Sequence, residues 1–254
     1  GNTVLFTDEW GGGVAPLCQA TYKYEWGADA IFTRDGTELT LAGYYKLPAP
    51  QTALENCVAH NGSLVPVPGR DIMVQSWYQG GVSVLDFTDP TDAFEIAFFD
   101  RGPIDPNQMQ LAGFWSTYWY NGAIYGSEIG RGLDVFDLQP SEHLTENELA
   151  AAKLVQRDQF NAQTQRSFDW PADPVVAHAL LDQLARDGDV PASRVDAMRA
   201  ELDRVSELSG GQRRDGFAGM AEEVAALAGG AAGGSADAER LHLLAETLGE
   251  LAGG

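Results

Sequence analysis

Two six-residue segments of this chain superimpose: Gly81-Val82-Ser83-Val84-Leu85-Asp86 on Gly132-Leu133-Asp134-Val135-Phe136-Asp137. The residues before them stay in register, with Ser76 on Ser127 and Trp77 on Glu128. A third, worn copy, "GADAIFTRDG" from Gly27, puts Asp29 at the position of Ser83 and Asp134. The copies stand roughly 54 and 51 residues apart, and a period near 50 marks a propeller or solenoid array.

Short β-branched and aromatic runs between turn residues predict the strands. In the complete copy they fall at about 57–65, 71–79, 81–87 and 94–100. The turns between them are "PVPGRD", Gly80-Gly81 and "DPTD". The first copy starts at the second strand of this order. The third supplies strands at about 112–120, 122–129 and 132–138. The expected fold is therefore an incomplete β-propeller of four-stranded antiparallel blades, all-β over residues 1–140. Roughly two and a half blades are present where a closed ring needs at least four.

From about residue 142 the composition changes to Ala, Leu, Glu and Arg, and residues 141–254 read as a helical region. Thr145 and Glu148 in "LTENEL" form a capping box. Val195, Met198, Leu202 and Val205 follow helical spacing, as do Phe217, Met220, Val224 and Leu227, and Leu241, Leu244, Leu248 and Leu251. Pro191 suits a helix start, and "GGAAGGS" at 229–235 reads as a break with Ser235 as the next cap.

The balance of 16 basic against 37 acidic residues gives a net charge of −21. That argues against nucleic acid as a partner, since phosphate binding needs a basic face. No apolar run is long enough to span a membrane. The chain opens on Gly1 without a signal peptide, and its first residues already read as a strand. The expectation is the C-terminal part of a longer or processed protein, with any export signal upstream.

The segments "VSVLDFTDP" and "LDVFDLQP" resemble the LVIVD repeat family of bacterial proteins. "FTDEWGGG", "CVAHNGSLVPVPGRDIMVQSWYQGG" and "YWYNGAIYGSEIGRGLDVF" are similar to the last blades of such proteins, and "LTENELAAAKLVQRDQFNAQTQ" to the helical segment after them. The resemblance covers about residues 1 to 185 and implies a secreted or cell-surface β-propeller. It carries no catalytic motif that transfers residue by residue.

In a propeller, the loops opening on one common face usually carry the site. Cys18 and Cys57 both fall on that face, in neighbouring blades. Two cysteines allow one disulfide or two buried thiols, and in an exported protein this placement favours the disulfide. Glu9, Trp77 and Glu128 are equivalent positions at strand ends, and His60 and Arg131 enter from the same side. These five are the candidate ligand-binding residues. Asp8, Glu9 and His60 are the candidate ligands of a divalent cation, and no cofactor beyond that is indicated. The leading expectation is a binding module for a protein or small-molecule ligand, with no established enzymatic activity. The alternative is a secreted metal-assisted hydrolase or oxidoreductase completed by upstream blades. Trp115, Tyr118, Trp119 and Tyr120 read either as a sugar-stacking platform or as core between blades.

Overall fold

The computed structural model of the chain describes residues 2–164, 166–187, 190–231 and 235–254. Among these residues ten strands form three small antiparallel sheets. The first holds β1 (Thr3–Thr7), β2 (Asp29–Asp35) and β3 (Glu38–Tyr45) in that order. The second, four-stranded, holds β4 (Gly62–Val65), β5 (Ile72–Ser76), β6 (Val82–Asp86) and β7 (Phe94–Phe99). The third holds β8 (Phe114–Tyr120), β9 (Ala123–Glu128) and β10 (Gly132–Phe136). Among the described residues five α-helices follow: α1 (Glu146–Leu154), α2 (Pro174–Asp187), α3 (Ala192–Ser206), α4 (Gly210–Gly230) and α5 (Ala236–Gly253).

This arrangement corrects the expected fold class. The sheets have three, four and three strands, none is closed, and the chain is mixed α/β rather than an all-β propeller. The physical reason lies in the first and third copies. β1 is the edge of its sheet, paired with β2 alone, and residues 8–28 run between the two without adding a strand to it. After β10 the chain turns into α1 instead of adding a fourth strand. The period of about 50 residues gives repeated hairpins and does not give closure.

The chain divides into two compact units. The first takes in the chain up to Val65, Arg70–Gln139 and Gln156–Arg166; the second takes in Pro66–Gly69, Pro140–Val155 and the chain from Ser167 onward. The split is thus not contiguous in sequence.

In the first unit the tight hairpins rest on glycine. Gly81 and Gly132 occupy equivalent places after β5 and β9 with φ of 90° and 98°, a region that a side chain disfavours. A Cβ on Gly81 would sit 2.1 Å from the Phe99 carbonyl oxygen. The middle sheet is the best covered, and every residue of β6 is buried. Polar side chains join neighbouring sheets: Ser76 Oγ and Thr117 Oγ1 are 2.6 Å apart, and Ser63 Oγ accepts from the Trp119 amide at 2.9 Å.

The second unit obeys simpler rules. Thr145 Oγ1 accepts from the Glu148 amide at 3.2 Å and Glu148 Oε2 accepts from the Thr145 amide at 2.7 Å, a complete capping box. Ser235 caps α5 by accepting from the Ala238 amide at 3.2 Å. Of the expected break at 229–235, residues 232–234 lie outside the described residues. Val195, Met198, Leu202, Val205, Phe217, Met220, Val224, Leu241, Leu244 and Leu248 are all buried in one core. Helix α2, which no stripe above announces, adds Val176, Leu180, Leu181 and Leu184 to it. Each such side chain contributes about 1.5–3 kcal/mol on leaving water. No described helix is long and apolar enough to cross a membrane.

Candidate functional site

Glu9 follows β1 and opens a turn closed by the Gly12 amide donating to its carbonyl at 2.9 Å. Gly11, Gly12 and Gly13 all have left-handed φ, of 74°, 66° and 71°. At Gly13 the reason is contact as well as conformation, because a Cβ there would lie 2.2 Å from Tyr78 Cζ. The loop is therefore stripped of side chains where the Tyr78 ring passes it.

Tyr78 sits in the β5–β6 turn with φ of 52°, which is costly for an aromatic residue. That backbone aims its hydroxyl at Glu9, and Tyr78 Oη donates to Glu9 Oε1 at 2.6 Å. Burial pushes the phenol well above its ordinary range, and the Glu9 bond and charge push it further, so Tyr78 remains a donor. His60 Nε2 stands 3.4 Å from the same Glu9 oxygen. His60 Nδ1 meets the Trp115 carbonyl, which requires a proton on Nδ1. The His60 ring packs on Tyr78 and Trp115, with centroids 4.7 and 4.8 Å apart. Trp115 is 50% exposed, and the Glu9 side chain is 39% exposed with Oε2 unclaimed by the described residues. The His60 side chain is only 7% exposed. The surface thus offers an indole and a carboxylate, backed by a buried tyrosine and histidine.

Next in the chain, Trp10 is 45% exposed and stacks at 5.0 Å on Trp26, which Tyr22 approaches at 6.1 Å.

A buried amide hub holds the loops around this cluster. Asn56 Nδ2 donates to the Gly13 carbonyl at 2.8 Å, and Asn56 Oδ1 accepts from Gln79 Nε2 at 2.6 Å and from the Ala112 amide at 3.2 Å. Gln79 Oε1 accepts from the Ile104 amide at 2.7 Å. The Cys18–Cys57 disulfide closes a separation of 39 residues, and the Leu17 amide donates to the Cys57 carbonyl at 3.1 Å beside it.

The sequence-derived residues are distributed as follows. Glu9 and His60 meet. Trp77 does not join them: it is buried in the core around the disulfide, edge-on to Tyr45 at 5.8 Å. Glu128 is buried and accepts from the Gly113 amide at 2.9 Å, from the Arg131 amide, and from Arg131 Nη1 at 3.4 Å. Its described partners are thus Gly113 and Arg131, not Glu9 or His60. Asp8 turns away from Glu9 and accepts from the Gly27 amide at 3.1 Å. Asp8, Glu9 and His60 therefore do not assemble as a ligand set, and no group of three or more His, Cys, Asp or Glu suited to a metal ion occurs among the described residues. Tyr78, Trp115, Asn56, Gln79 and Gly13 were not singled out for this cluster. The signal that points to Tyr78 is the turn sequence "WYQGG", in which a reversed backbone hands the outward position to the second aromatic.

No family model matches the chain, and no curated protein matches it.

Proposed function

We propose that the chain is a binding module, related to the LVIVD-type repeat proteins it resembles and placed outside the cytosol, whose surface at Glu9 and Trp115 takes a neutral saccharide. The carrying observation is the half-exposed Glu9 carboxylate, held through one oxygen by Tyr78 with His60 Nε2 3.4 Å from it and open at the other, beside the exposed Trp115 ring. A sugar ring presents an apolar C–H face and a rim of hydroxyls. The indole suits the first and a carboxylate, which only accepts, suits the second. The left-handed Tyr78 supports the reading, since strain of this sort collects at ligand sites. The disulfide supports the compartment, because such bonds persist in oxidising surroundings.

Calorimetric titration of the full chain with a panel of neutral oligosaccharides tests the proposal. Saturable binding is expected. Trp115→Ala should weaken it by about tenfold or more, and Glu9→Gln by about tenfold. No binding across the panel, or an unchanged affinity in Trp115→Ala, rejects it.

A further inference from the structure

Asp29, at the start of β2, is fully buried between Thr7 of β1 and Tyr45 of β3. Its Oδ1 accepts from Gln75 Nε2 of β5 at 2.7 Å. Gln75 Nε2 also donates to the His60 carbonyl at 3.0 Å, so both amide hydrogens are committed. Asp29 Oδ2 and Gln75 Oε1 are then left as two buried acceptors without a partner. Two acceptors on adjoining groups and no donor is a costly arrangement for a fold to keep. One added proton resolves it, since a proton on Asp29 Oδ2 turns one acceptor into the donor that the other lacks.

We infer that Asp29 is held as the neutral acid and that its proton completes a two-point acid–amide pair with Gln75, latching β2 to β5 directly behind the candidate site. The surrounding titratable groups offer no substitute cation. Tyr45 from β3 is neutral, with burial first and the Glu95 charge second pushing its phenol far up. Tyr24 from the β1–β2 loop is also raised by burial. Glu95 from β7 is engaged by Ser83 Oγ at 2.7 Å and by Tyr45 at 3.3 Å. Lys46 donates to the Trp26 carbonyl at 2.5 Å, and His60 presents only its carbonyl on this side. Burial pushes the Asp29 carboxyl up to about 8, against the pull of the Gln75 bond.

An unfolded aspartate releases its proton near pH 3.9, while the folded one keeps it until about pH 8. The latch therefore contributes fully below about pH 4 and is lost as pH rises through the folded value. Between these limits the folded chain binds one proton more, so its folding equilibrium constant falls about tenfold per pH unit. The same rise removes only the Oδ2–H half of the pair, while Gln75 Nε2 stays bonded to Asp29 Oδ1 and to the His60 carbonyl.

Two measurements on the full chain decide the matter. In wild type carrying ¹³C-labelled aspartate, one carboxyl carbon should titrate far above the rest, and Asp29→Asn should remove that signal. The asparagine amide supplies N–H where the acid has O–H, so the variant should hold its fold as wild type does at pH 5. It should lack the steep loss between about pH 5 and 8, read by amide exchange at Ile31 and Val74. If every aspartate carbon titrates below about pH 5, or if Asp29→Asn weakens the fold by one constant factor at all pH values, Asp29 is ionised and the inference is wrong. Should the variant not fold, the wild-type titration alone still decides.

Discussion

Buried acids that face an arginine occur in both units, whereas the two that meet none among the described residues, Asp29 and Glu55, lie in the β unit, Glu55 being held by Thr52. In the helical unit, Glu148 faces Arg186 at 2.5 Å and Asp237 faces Arg240 at 3.0 Å. In the β unit, Asp86 has Arg70 at 2.5 Å and Glu128 has Arg131. Asp29, however, meets only an amide among the described residues. Left-handed non-glycine residues show the same contrast: both of those described, Tyr78 and Asn121, lie in the β unit. The helical unit carries its apolar stripes inside and side-chain caps at α1 and α5, and among the described residues leaves Ser206 Oγ and Arg213 Nε buried without a hydrogen-bond partner. The β unit holds both left-handed residues and leaves atoms of Asp29, Gln75, Trp77 and Trp119 unpartnered, with Tyr78 beside Glu9 and Asp29 beside Gln75. Where a fold tolerates strain and unpaired polar atoms, selection for something other than stability is the economical explanation.

The contrast can be broken experimentally. The largest effect should come from Phe217→Ala, which empties the centre of the helical core and should cost about 3–5 kcal/mol there. Amide exchange in the β unit should be unchanged, and parallel loss in both units would show that they unfold together. Replacing Cys18 and Cys57 by alanine should cost the β unit about 4 kcal/mol through the freed loop and leave the helices alone. A thermal melt with separate β and helical probes reads both. Gly13→Ala should cost about 1–3 kcal/mol from its left-handed backbone and the Tyr78 contact. It should also weaken ligand binding, which an ordinary loop substitution would not. Thr145→Ala removes one cap and should cost the helical unit about 1 kcal/mol with no effect on binding.

Much of the local structure is legible in the sequence, and for a definite reason. The repeated segments at Val82–Asp86 and Gly132–Phe136 carry short β-branched and aromatic runs between turn residues, and β6 and β10 lie there. The stripes from Val195 and from Leu241 reflect helix faces, and α3 and α5 bury them. Closure is not legible, because a period counts hairpins and says nothing about whether their sheets meet in a ring. The site is half legible. Glu9 stands out as a strand-end position of the repeat and His60 as a polar residue entering from the same side, and these two meet. The repeat alignment also puts Trp77 and Glu128 with Glu9; Glu128 instead meets Gly113 and Arg131, and for Trp77 the alignment assumes that the strand continues its alternation to the last residue. The turn at Tyr78, with φ of 52°, breaks that assumption and exchanges the two aromatics. Asp29 is visible only as a repeat position, since nothing in its neighbours along the chain announces burial beside Gln75.

The central claim is that function sits in the β unit, on the surface shared by Glu9 and Trp115. The most direct test is a pair of ¹H–¹⁵N spectra of the full chain, recorded with and without a saturating neutral oligosaccharide. The account predicts that the Trp115 indole N–H and the amides of Glu9, Tyr78 and His60 shift, while signals from α2 through α5 stay in place. Shifts confined to the helices, or a spectrum that does not change with any oligosaccharide tried, would contradict it.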